Sequence, residues 1–522
     1  MSISSNNFFY ANINYVDSSN VSNNYINFTH NTNNSLDLSE NSLSKYARGF
    51  FFSPNYNKQF FDAINWANNL GDYKTQLNLI NPFNNSLINI DLLNNNVPSI
   101  KSSIIDRGLP INGVNPLDSF GYAVACNADG TVFAASAPYN DGNDYPTNSN
   151  VGHVRVYKWN GNAWDQMGAD IDGDIINGGF GLGNHSQSLS LNSDGTIIAI
   201  GAGSNDGPGN DSGDVIILNY VETRDPQWKQ LGNIINGEAA WDYSGQSVSL
   251  NSDGSRVAIG ARYNDGYDDR SGHVRVYDYV ETRVPQWEQM GDDIDGNTHI
   301  NYFGGSVSLN SDGNIVASGG VYGKDNNDVY TGNVRVYDYV ETRSPKWQQL
   351  GDDICGEAEW DYFGECVSIS ADGTILAVGA YGNDDNGPGS GHVRVYDYVE
   401  TRNPKWQQLG SSIVGEANAD SSGKSISLSS DGTIIAIGAH DNDGNDGNDV
   451  NSGHVRVYQY IEGIEGKDWV QIGDDIDGEA GSYQAGHSVS LSKNGSVLVV
   501  GEVYNDNNGN NNAGRVFTYE II

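Results

Sequence analysis

Short segments of alternating hydrophobic and polar residues recur along the chain, separated by turn-forming residues. In one stretch, Ser247–Leu250 alternates small polar and apolar residues, Arg256–Ala261 is a nearly continuous apolar run, and His273–Tyr277 alternates again. Alternation with a period of two predicts half-buried β-strands, and a short apolar run predicts a strand buried on both faces. Asp253-Gly254 predicts a tight hairpin turn between the first two strands. A fourth segment beginning at Trp287 completes a unit of four predicted strands.

The same unit of about sixty residues recurs along the chain. Its first hairpin turn ends each time in a glycine, at Gly130, Gly195, Gly254, Gly313, Gly373, Gly432 and Gly495. The successive spacings are 65, 59, 59, 60, 59 and 63 residues. Tandem units of four short antiparallel strands are typical of β-propellers. The sequence therefore predicts an all-β, seven-bladed β-propeller over residues 101–522.

The two ends of the repeat region predict how the ring closes. The seventh unit ends at Ile522, where its fourth strand should begin. An isolated fourth-strand motif lies upstream instead, in which Ile104 takes the place of the tryptophan and Gly108 matches Gly291. Because proteins avoid leaving a sheet edge unpaired, we expect this N-terminal strand to complete the last blade.

Residues 1–100 differ in composition from the repeats, since they contain 25 asparagines. Such bias is typical of loops or weakly ordered chain, so this region is interpreted as an Asn-rich N-terminal extension. Within it, apolar residues at helical spacing predict a short helix near residues 58–70. That helix either packs on the propeller or serves as a docking peptide for another protein.

Charge excludes some classes of partner. The formal net charge is −39, of which residues 1–100 contribute −2, so the acidity belongs to the repeats. A nucleic acid would be repelled by this charge. The sequence has no run of eighteen apolar residues, so no membrane span is expected. The first twenty residues lack the pattern of a secretory signal, which favours a cytoplasmic protein or one carried in a virion or other particle.

Several units open with Phe-Gly, as at Phe120-Gly121, Phe303-Gly304 and Phe363-Gly364, and have Gly-Ala after the second strand. In this they resemble the FG-GAP repeats of the integrin α-subunit propeller, and Ala137-Pro138 keeps the proline of that motif. The resemblance covers residues 104–522 and implies seven blades. The units look closer to divergent FG-GAP-like repeats of microbial, protist and giant DNA virus proteins. That similarity implies a structural or interaction role in a virion or at a surface.

The calcium site of integrin-like blades lies in an Asp-rich loop between the first and second strands. Here that loop is reduced to Ser252-Asp253-Gly254, which offers too few oxygen ligands, so we expect that site to be absent. A different loop is rich in carboxylates and gives a candidate calcium site. Its candidate ligands are Asp441, Asp443, Asp446 and Asp449, although their spacing departs from the EF-hand pattern.

A candidate partner-binding face follows from strand direction. Strands alternate in direction, so the loop between strands two and three shares a face with the connection between blades. Both are acidic and contain aromatic residues; the candidate partner-binding residues are Asp265, Asp384, Asp385, Tyr263, Tyr381, Trp241 and Trp360. Three interpretations remain open: turn-forming residues whose charge aids solubility, calcium ligands, or a surface for a cationic or carbohydrate partner.

Histidine begins the third strand in four units, at His153, His273, His392 and His454. Asp, Asn or Arg takes this place in other units, so we expect a structural role for the histidines rather than metal binding. The arginines two positions later, such as Arg275, are expected on a solvated strand face paired with nearby acids.

Enzyme motifs are missing from the sequence: it has no G-x-S-x-G elbow, no H-E-x-x-H and no phosphate-binding glycine loop. The predicted function is therefore a non-enzymatic protein-interaction or structural module that presents an acidic loop face to a partner. The alternative is a glycan-binding or glycan-cleaving propeller, that is, a lectin, hydrolase or lyase.

Overall fold

A computed structural model divides the chain into two compact units, residues 1–100 with 462–467 and residues 101–461 with 468–522. In the first unit, strands β1 (Thr75–Ile80) and β2 (Leu87–Leu92) pair antiparallel. The helix predicted near residues 58–70 lies outside the described residues. The structure describes residues 75–80, 87–92, 103–142, 149–175, 177–182, 187–224, 226–341, 346–401, 405–444, 450–463, 466–506 and 511–522.

In the second unit, strands β3 (Ile104–Asp106) and β4 (Ile111–Asn112) precede the repeats. The first strands of the repeats are β5 (Val124–Cys126), β10 (Leu189–Leu191), β15 (Ser247–Leu250), β20 (Phe303–Leu309), β25 (Val367–Ile369), β30 (Ser425–Leu428) and β34 (Ala485–Leu491). The second strands are β6 (Val132–Ala137), β11 (Ile197–Ala202), β16 (Arg256–Ala261), β21 (Ile315–Gly320), β26 (Ile375–Ala380), β31 (Ile434–Ala439) and β35 (Val497–Glu502).

The third strands are β7 (His153–Trp159), β12 (Asp214–Val221), β17 (His273–Val280), β22 (Asn333–Val340), β27 (His392–Val399), β32 (His454–Gly463) and β36 (Arg515–Ile521). The fourth strands are β8 (Trp164–Gln166), β13 (Gln227–Gln230), β18 (Gln286–Gln289), β23 (Lys346–Gln349), β28 (Lys405–Gln408) and the long β33 (Gly466–Asp477). Short fifth strands pair with the third strand in most blades: β9 (Ile171–Asp172), β14 (Ile235–Asn236), β19 (Ile294–Asp295), β24 (Ile354–Cys355) and β29 (Ile413–Val414).

These strands form seven antiparallel sheets within the described residues of the second unit, and each sheet is one blade. The first strand of each blade lies beside that of the next, and β34 returns to β5, so the blades form a closed ring. The first strands line the axis. The second strands are almost wholly buried, as the apolar run predicted. The predicted all-β, seven-bladed fold is confirmed.

The predicted closure by an N-terminal strand is also confirmed. Strand β3 pairs with β36, with Ile104 opposite Ile521, and β4 pairs with the other end of β36. The indole Nε1 of Trp164 in blade 1 donates to the carbonyl oxygen of Arg107 at 3.2 Å and to Oγ1 of Thr518 at 2.9 Å. The closing segment is therefore held both by its own blade and by the next.

Neighbouring blades approach most closely at two glycines. The Gly of the Gly-Ala pair in strand two faces the carbonyl of the Phe-Gly-type glycine in the next blade. A Cβ built on Gly379 would lie 2.0 Å from the carbonyl oxygen of Gly423. The same contact recurs between Gly319 and Gly364, where the distance would be 1.9 Å. Only glycine fits at these two contacts, whereas at the junction of blades 1 and 2 the strand-two position is Ser136, opposite Gly181.

A ring of backbone hydrogen bonds joins the blades at the opposite end of the axis. The residue before each Asp-Gly or Asn-Gly turn accepts a hydrogen bond from a backbone N–H of the adjacent blade. The N–H···O pairs are Ala128 to Ser193, Ser193 to Ser252, Ser252 to Ser311, Ser311 to Ala371, Ala371 to Ser430, Ser430 to Lys493, and Asn494 to Ala128, at 2.7–3.2 Å. Because every turn takes part, the register of each blade is fixed by its neighbours.

We predict that Gly379→Ala lowers the free energy of unfolding by about 3 kcal/mol or more, because the new methyl group overpacks a rigid backbone contact. Gly161→Ala is the control: its φ is +99°, and no described atom lies within 4 Å of the added Cβ. That change should cost only about 1 kcal/mol, from backbone strain. Chemical denaturation of both variants tests the ranking, and equal losses would contradict the contact argument.

We predict that deleting residues 1–99 leaves the ring folded, whereas deleting residues 1–115 destabilises blade seven. The longer deletion removes β3 and β4, exposes the edge of β36 and removes the apolar contact of Ile104 with Ile521. The expected difference in unfolding free energy is about 3 kcal/mol or more. Thermal melting of both truncations checks it, and equal melting temperatures would rule out the closing role.

Candidate partner-binding face

The loops between strands two and three and the connections entering each first strand form one face of the propeller, here called the loop face. The Asp-Gly turns and the hairpins between strands three and four form the other, the turn face. Among the described residues, the exposed aromatic side chains all lie on the loop face: Tyr139, Trp241, Tyr267, Trp360 and Tyr504. Exposed aromatic side chains gathered on one face are typical of a binding surface.

Trp241 and Trp360 occupy equivalent positions in two connections and are 56% and 50% exposed. Both have left-handed backbone conformations, with φ of +73° and +71°. The equivalent residues of the other five connections, Leu117, Asn177, Ile300, Ala419 and Ser482, also have a positive φ, so this turn conformation belongs to the repeat. The backbone N–H groups of Trp241 and Trp360 donate to the carbonyl oxygens of Asn210 and Tyr330, which fixes the turn and directs each indole outward.

Tyrosines from successive blades form a continuous series of ring contacts on the loop face. This aromatic arc consists of Tyr243, Tyr263, Tyr302, Tyr322, Tyr362 and Tyr381, whose successive ring centroids are 5.2, 5.0, 5.1, 5.6 and 4.8 Å apart. Trp360 lies at its edge, 6.1 Å from the Tyr322 ring. The structure therefore brings three of the predicted residues, Tyr263, Tyr381 and Trp360, into one surface. Trp241 and the predicted aspartates lie outside the arc.

Two cations are held against the arc. The Arg262 guanidinium lies 5.3 Å from the ring centroids of both Tyr263 and Tyr302, and its Nε is buried without a hydrogen-bond partner among the described residues. The Lys424 ammonium lies 3.4 Å from the centroid of Tyr381 and 3.4 Å from Oε1 of Glu365. Burial raises the pKa of the Tyr381 hydroxyl, and the carboxylate of Glu365 adds to the shift. Tyr381 therefore stays neutral at physiological pH, with the Lys424 ammonium bound against its ring.

On the other side of the axis, the His487 ring lies 4.6 Å from that of Tyr122 and 5.6 Å from that of His440. Burial lowers the pKa of His487 to about 3, and the neighbouring His440 adds to this shift. Burial likewise lowers the pKa of His440 to about 4, with a further contribution from Lys424. Both imidazoles are therefore neutral near pH 7.

An axial cavity of about 190 Å³ lies among the first strands. Gln187 spans part of it, because its amide donates to Sγ of Cys366 at 2.8 Å and accepts from the N–H of Val307 at 3.2 Å. At the turn face, Nζ of Lys493 reaches Oγ of Ser252 at 2.9 Å. Pockets for drug-sized ligands usually measure about 300 Å³ or more. We therefore expect a partner to bind on the loop face rather than inside the axial cavity.

The predicted acidic residues also have structural partners. Oδ1 of Asp265 accepts a hydrogen bond from the N–H of Arg270, and Oδ1 of Asp384 accepts one from the N–H of Gly389, both at 2.8 Å. Oδ2 of Asp385 lies 3.2 Å from Nδ1 of His392. These contacts support the turn-forming interpretation for one oxygen of each carboxylate.

The candidate calcium ligands are described only in part, because Asp446 and Asp449 lie outside the described residues. Asp441 accepts hydrogen bonds from Oγ of Ser421 at 2.9 Å and from the side-chain amide of Gln484 at 3.3 Å. Oδ1 of Asp443 accepts one from the N–H of Asn451 at 3.0 Å. Calcium binding by this loop stays a prediction.

The expectation that the strand-three arginines lie on a solvated face is wrong. Arg275 and Arg335 are only 6% and 5% exposed. Nη2 of Arg275 donates to the carbonyl oxygen of Asn236 in the preceding blade at 3.0 Å. Blades stack against each other on both sides, so alternation within a strand does not identify a solvent-facing side here. Arg275, Arg394 and Arg456 pair with a glutamate from the connection between blades, whereas Arg155 pairs with Asp170 of its own blade.

Sequence reasoning missed Tyr243, Tyr302 and Tyr362 of the arc. All three lie just before the first strand and have positive φ, between +54° and +59°. The sequence did contain a signal. In the connections that enter blades 3, 4 and 5, a tyrosine lies two residues before the glycine of the Phe-Gly-type pair. The ring contacts between blades depend on the closed ring, which the local sequence does not reveal.

Comparison with known proteins supports the repeat family. Residues 356–396 match the family model of the FG-GAP repeat. This stretch runs from the connection before blade 5 into its third strand, β27. A search of curated proteins found no match to the chain. The family match and the seven-bladed arrangement together confirm the FG-GAP-like resemblance.

We predict that the free energy of unfolding falls less steeply with decreasing pH in the His487→Asn variant than in the wild type. The folded-state pKa of His487, about 3, lies below the ordinary value, so the unfolded chain binds more protons. This contribution to stability is fully present above about pH 6.5 and is lost as pH falls toward the folded-state value. The difference in unfolding free energy between wild type and His487→Asn should therefore shrink by about 2 kcal/mol from pH 7 to pH 5.

Denaturant unfolding at the two pH values measures this change. Tyr122→Phe is the control, because it alters the ring beside His487 without removing the histidine. Its effect should be the same at both pH values. A pH-independent effect of His487→Asn would contradict the prediction.

Proposed function

We propose that this propeller of FG-GAP-type repeats is a non-enzymatic protein-interaction module that binds a partner on its loop face. The observation that carries the proposal is the gathering of the exposed aromatic side chains of the described residues on that face. Propellers commonly bind proteins. A setting in a virion or at a surface stays a prediction.

The chemistry of the face favours a partner with basic and apolar groups. The aromatic arc and the indoles of Trp241 and Trp360 offer large, rigid contact areas of the kind found in interface hot spots. The surrounding carboxylates, such as Asp265 and Asp384, supply long-range attraction for cations. Within the described residues, no helix has the length and apolar character that a membrane crossing requires.

The exposed surface of Trp241 and Trp360 adds a second line of support. The two side chains are 56% and 50% exposed. A large aromatic side chain that is left half exposed offers apolar contact area to a partner.

We predict that the double variant Trp241→Gly/Trp360→Gly keeps its folding stability within about 1 kcal/mol per site, because relief of strain offsets lost packing and chain entropy. Partner binding should fall at least tenfold. The measurement is capture and cross-linking of partners by the full chain from source cells, followed by affinity measurement with the captured protein.

The matched control is Arg283→Ser/Val284→Ser, which alters exposed residues on the turn face. This variant should bind as wild type does. Binding that persists in the indole variant and fails in the control would place the interface on the turn face. A glycan microarray tests the alternative, since binding of glycans with no protein captured would favour a lectin.

A further inference from the structure

Three side chains that can bind metal converge at the junction of blades 2 and 3. His273 begins β17, Asp293 precedes β19, and Glu238 comes from the connection between the two blades. Nδ1 of His273 lies 3.8 Å from Oε2 of Glu238 and 3.7 Å from Oδ2 of Asp293. One ligand atom from each of the three residues lies within 4.8 Å of the others.

The histidine of this group lacks a protein partner where one would be expected. His273 is 1% exposed, and its Nδ1 has no hydrogen-bond partner among the described residues. A buried polar atom left without a partner is costly, so native proteins usually satisfy it with a ligand, an ion or water. Its Nδ1 is directed at the two carboxylates, yet both lie beyond hydrogen-bonding distance.

Blade 6 repeats the arrangement with Glu416, His454 and Asp475. Nδ1 of His454 lies 3.7 Å from Oε2 of Glu416. In both blades a glutamine fixes the aspartate: Gln289 donates to Oδ1 of Asp293, and Gln471 to Oδ1 of Asp475, each at 2.6 Å. The same bond holds Asp170 in blade 1 and Asp353 in blade 4, so it orients this carboxylate in several repeats, and in blades 3 and 6 it directs the second oxygen toward the histidine.

Blade 4 shows the same position built from amides. Asn333 replaces the histidine and Asn297 replaces the glutamate. Their amides donate directly to Oδ2 of Asp353, at 3.2 and 3.3 Å. In blade 4 the three side chains are therefore joined by direct hydrogen bonds. In blades 3 and 6 the histidine nitrogen and the carboxylate oxygens lie further apart, at 3.7–3.8 Å.

Blade 7 fills the position with a cation of its own. Arg515 replaces the histidine, and its Nη2 lies 2.8 Å from Oε2 of Glu479 and 2.9 Å from Oε2 of Glu502. Glu479 corresponds to Glu238 of the blade 3 cluster. The comparison indicates that this position suits a positive charge between carboxylates.

We propose that the two clusters Glu238–His273–Asp293 and Glu416–His454–Asp475 each bind a divalent transition-metal ion of the zinc class, which links neighbouring blades. An imidazole nitrogen with two carboxylate oxygens is a ligand set for zinc and related ions, whereas calcium takes oxygen ligands. Zinc bonds to nitrogen and oxygen are about 2.0–2.2 Å long, so one ion fits between atoms 3.7–3.8 Å apart with small adjustments. Water would complete the tetrahedron.

The electrostatics of the clusters agree with this geometry. Burial lowers the pKa of both His273 and His454 to about 4, and the adjacent arginines add to the shift, so each imidazole is neutral near pH 7 and its lone pair can bind a metal. Nη1 of Arg275 lies 3.5 Å from Oε1 of Glu238, which leaves Oε2 facing the histidine.

Blade 1 is excluded from the proposal. The carboxylate of Asp170 is occupied on both oxygens by Arg155, with Nε to Oδ1 at 2.9 Å and Nη2 to Oδ2 at 2.8 Å. A metal ion there would have to displace a bidentate ion pair. The expected stoichiometry is therefore two ions per chain.

Isothermal titration of the chelator-treated full chain with zinc chloride tests the proposal. Wild type should bind two ions and melt several degrees higher with zinc, while magnesium has no such effect. His273→Asn and His454→Asn should each bind one ion, and the double variant should bind none at these positions. The asparagine substitutions copy the blade 4 arrangement, so the fold should tolerate them.

Asp293→Asn and Asp292→Asn form a matched pair, since each removes one charge and Asp292 is exposed outside the cluster. Asp293→Asn should weaken binding at that site at least tenfold, and Asp292→Asn should bind as wild type does. Absence of zinc binding by wild type overturns the proposal. So does a stoichiometry that the His273, His454 and Asp293 substitutions leave unchanged.

Discussion

The contact between two glycine backbones, found at six of the seven blade junctions, is the constraint on which the propeller depends. At Gly379 and Gly423 there is no room for a single methyl group between the strand of one blade and the carbonyl of the next. This contact sets how closely the blades approach at the axis. Tryptophan and tyrosine fill the wider outer part of each junction, as where Trp228 donates to the carbonyl oxygen of Met167. Because the junction between two blades is narrow near the axis and wide at the periphery, blades packed side by side form a ring.

The aromatic arc and the proposed metal-binding clusters both depend on that ring. The aromatic arc takes two tyrosines from each of blades 3, 4 and 5, and its contacts between blades, Tyr263–Tyr302 and Tyr322–Tyr362, form only when adjacent blades are in register. The metal-binding clusters likewise draw Glu238 from one blade connection and His273 from the following blade. Within single loops, carboxylates such as Asp265 brace the turn through one oxygen.

Much of the fold could be predicted from sequence because its signals are local and repeated. The period-two pattern predicted the strands, and the spacing of the turn glycines predicted the number and length of the repeats. Ile104, in the place of the tryptophan, identified the closing strand. Contacts between blades could not be predicted this way. Arg275 looked solvent-facing within its own strand but is covered by the preceding blade. The histidines looked isolated because their carboxylate neighbours are distant in sequence, and only part of the aromatic arc was recognised from Tyr263 and Tyr381.

The closing strand also determines how the propeller would respond to mechanical force. Strands β3 and β36 are antiparallel, and Ser103 and Ile522 exchange two backbone hydrogen bonds, of 3.2 and 3.0 Å, at one end of the pair. Tension applied between these two residues loads that end alone. The pairs would separate one at a time, from Ile104–Ile521 to Asp106–Tyr519, rather than all together in shear. The ring thus closes through a seam that a directed pull can peel apart.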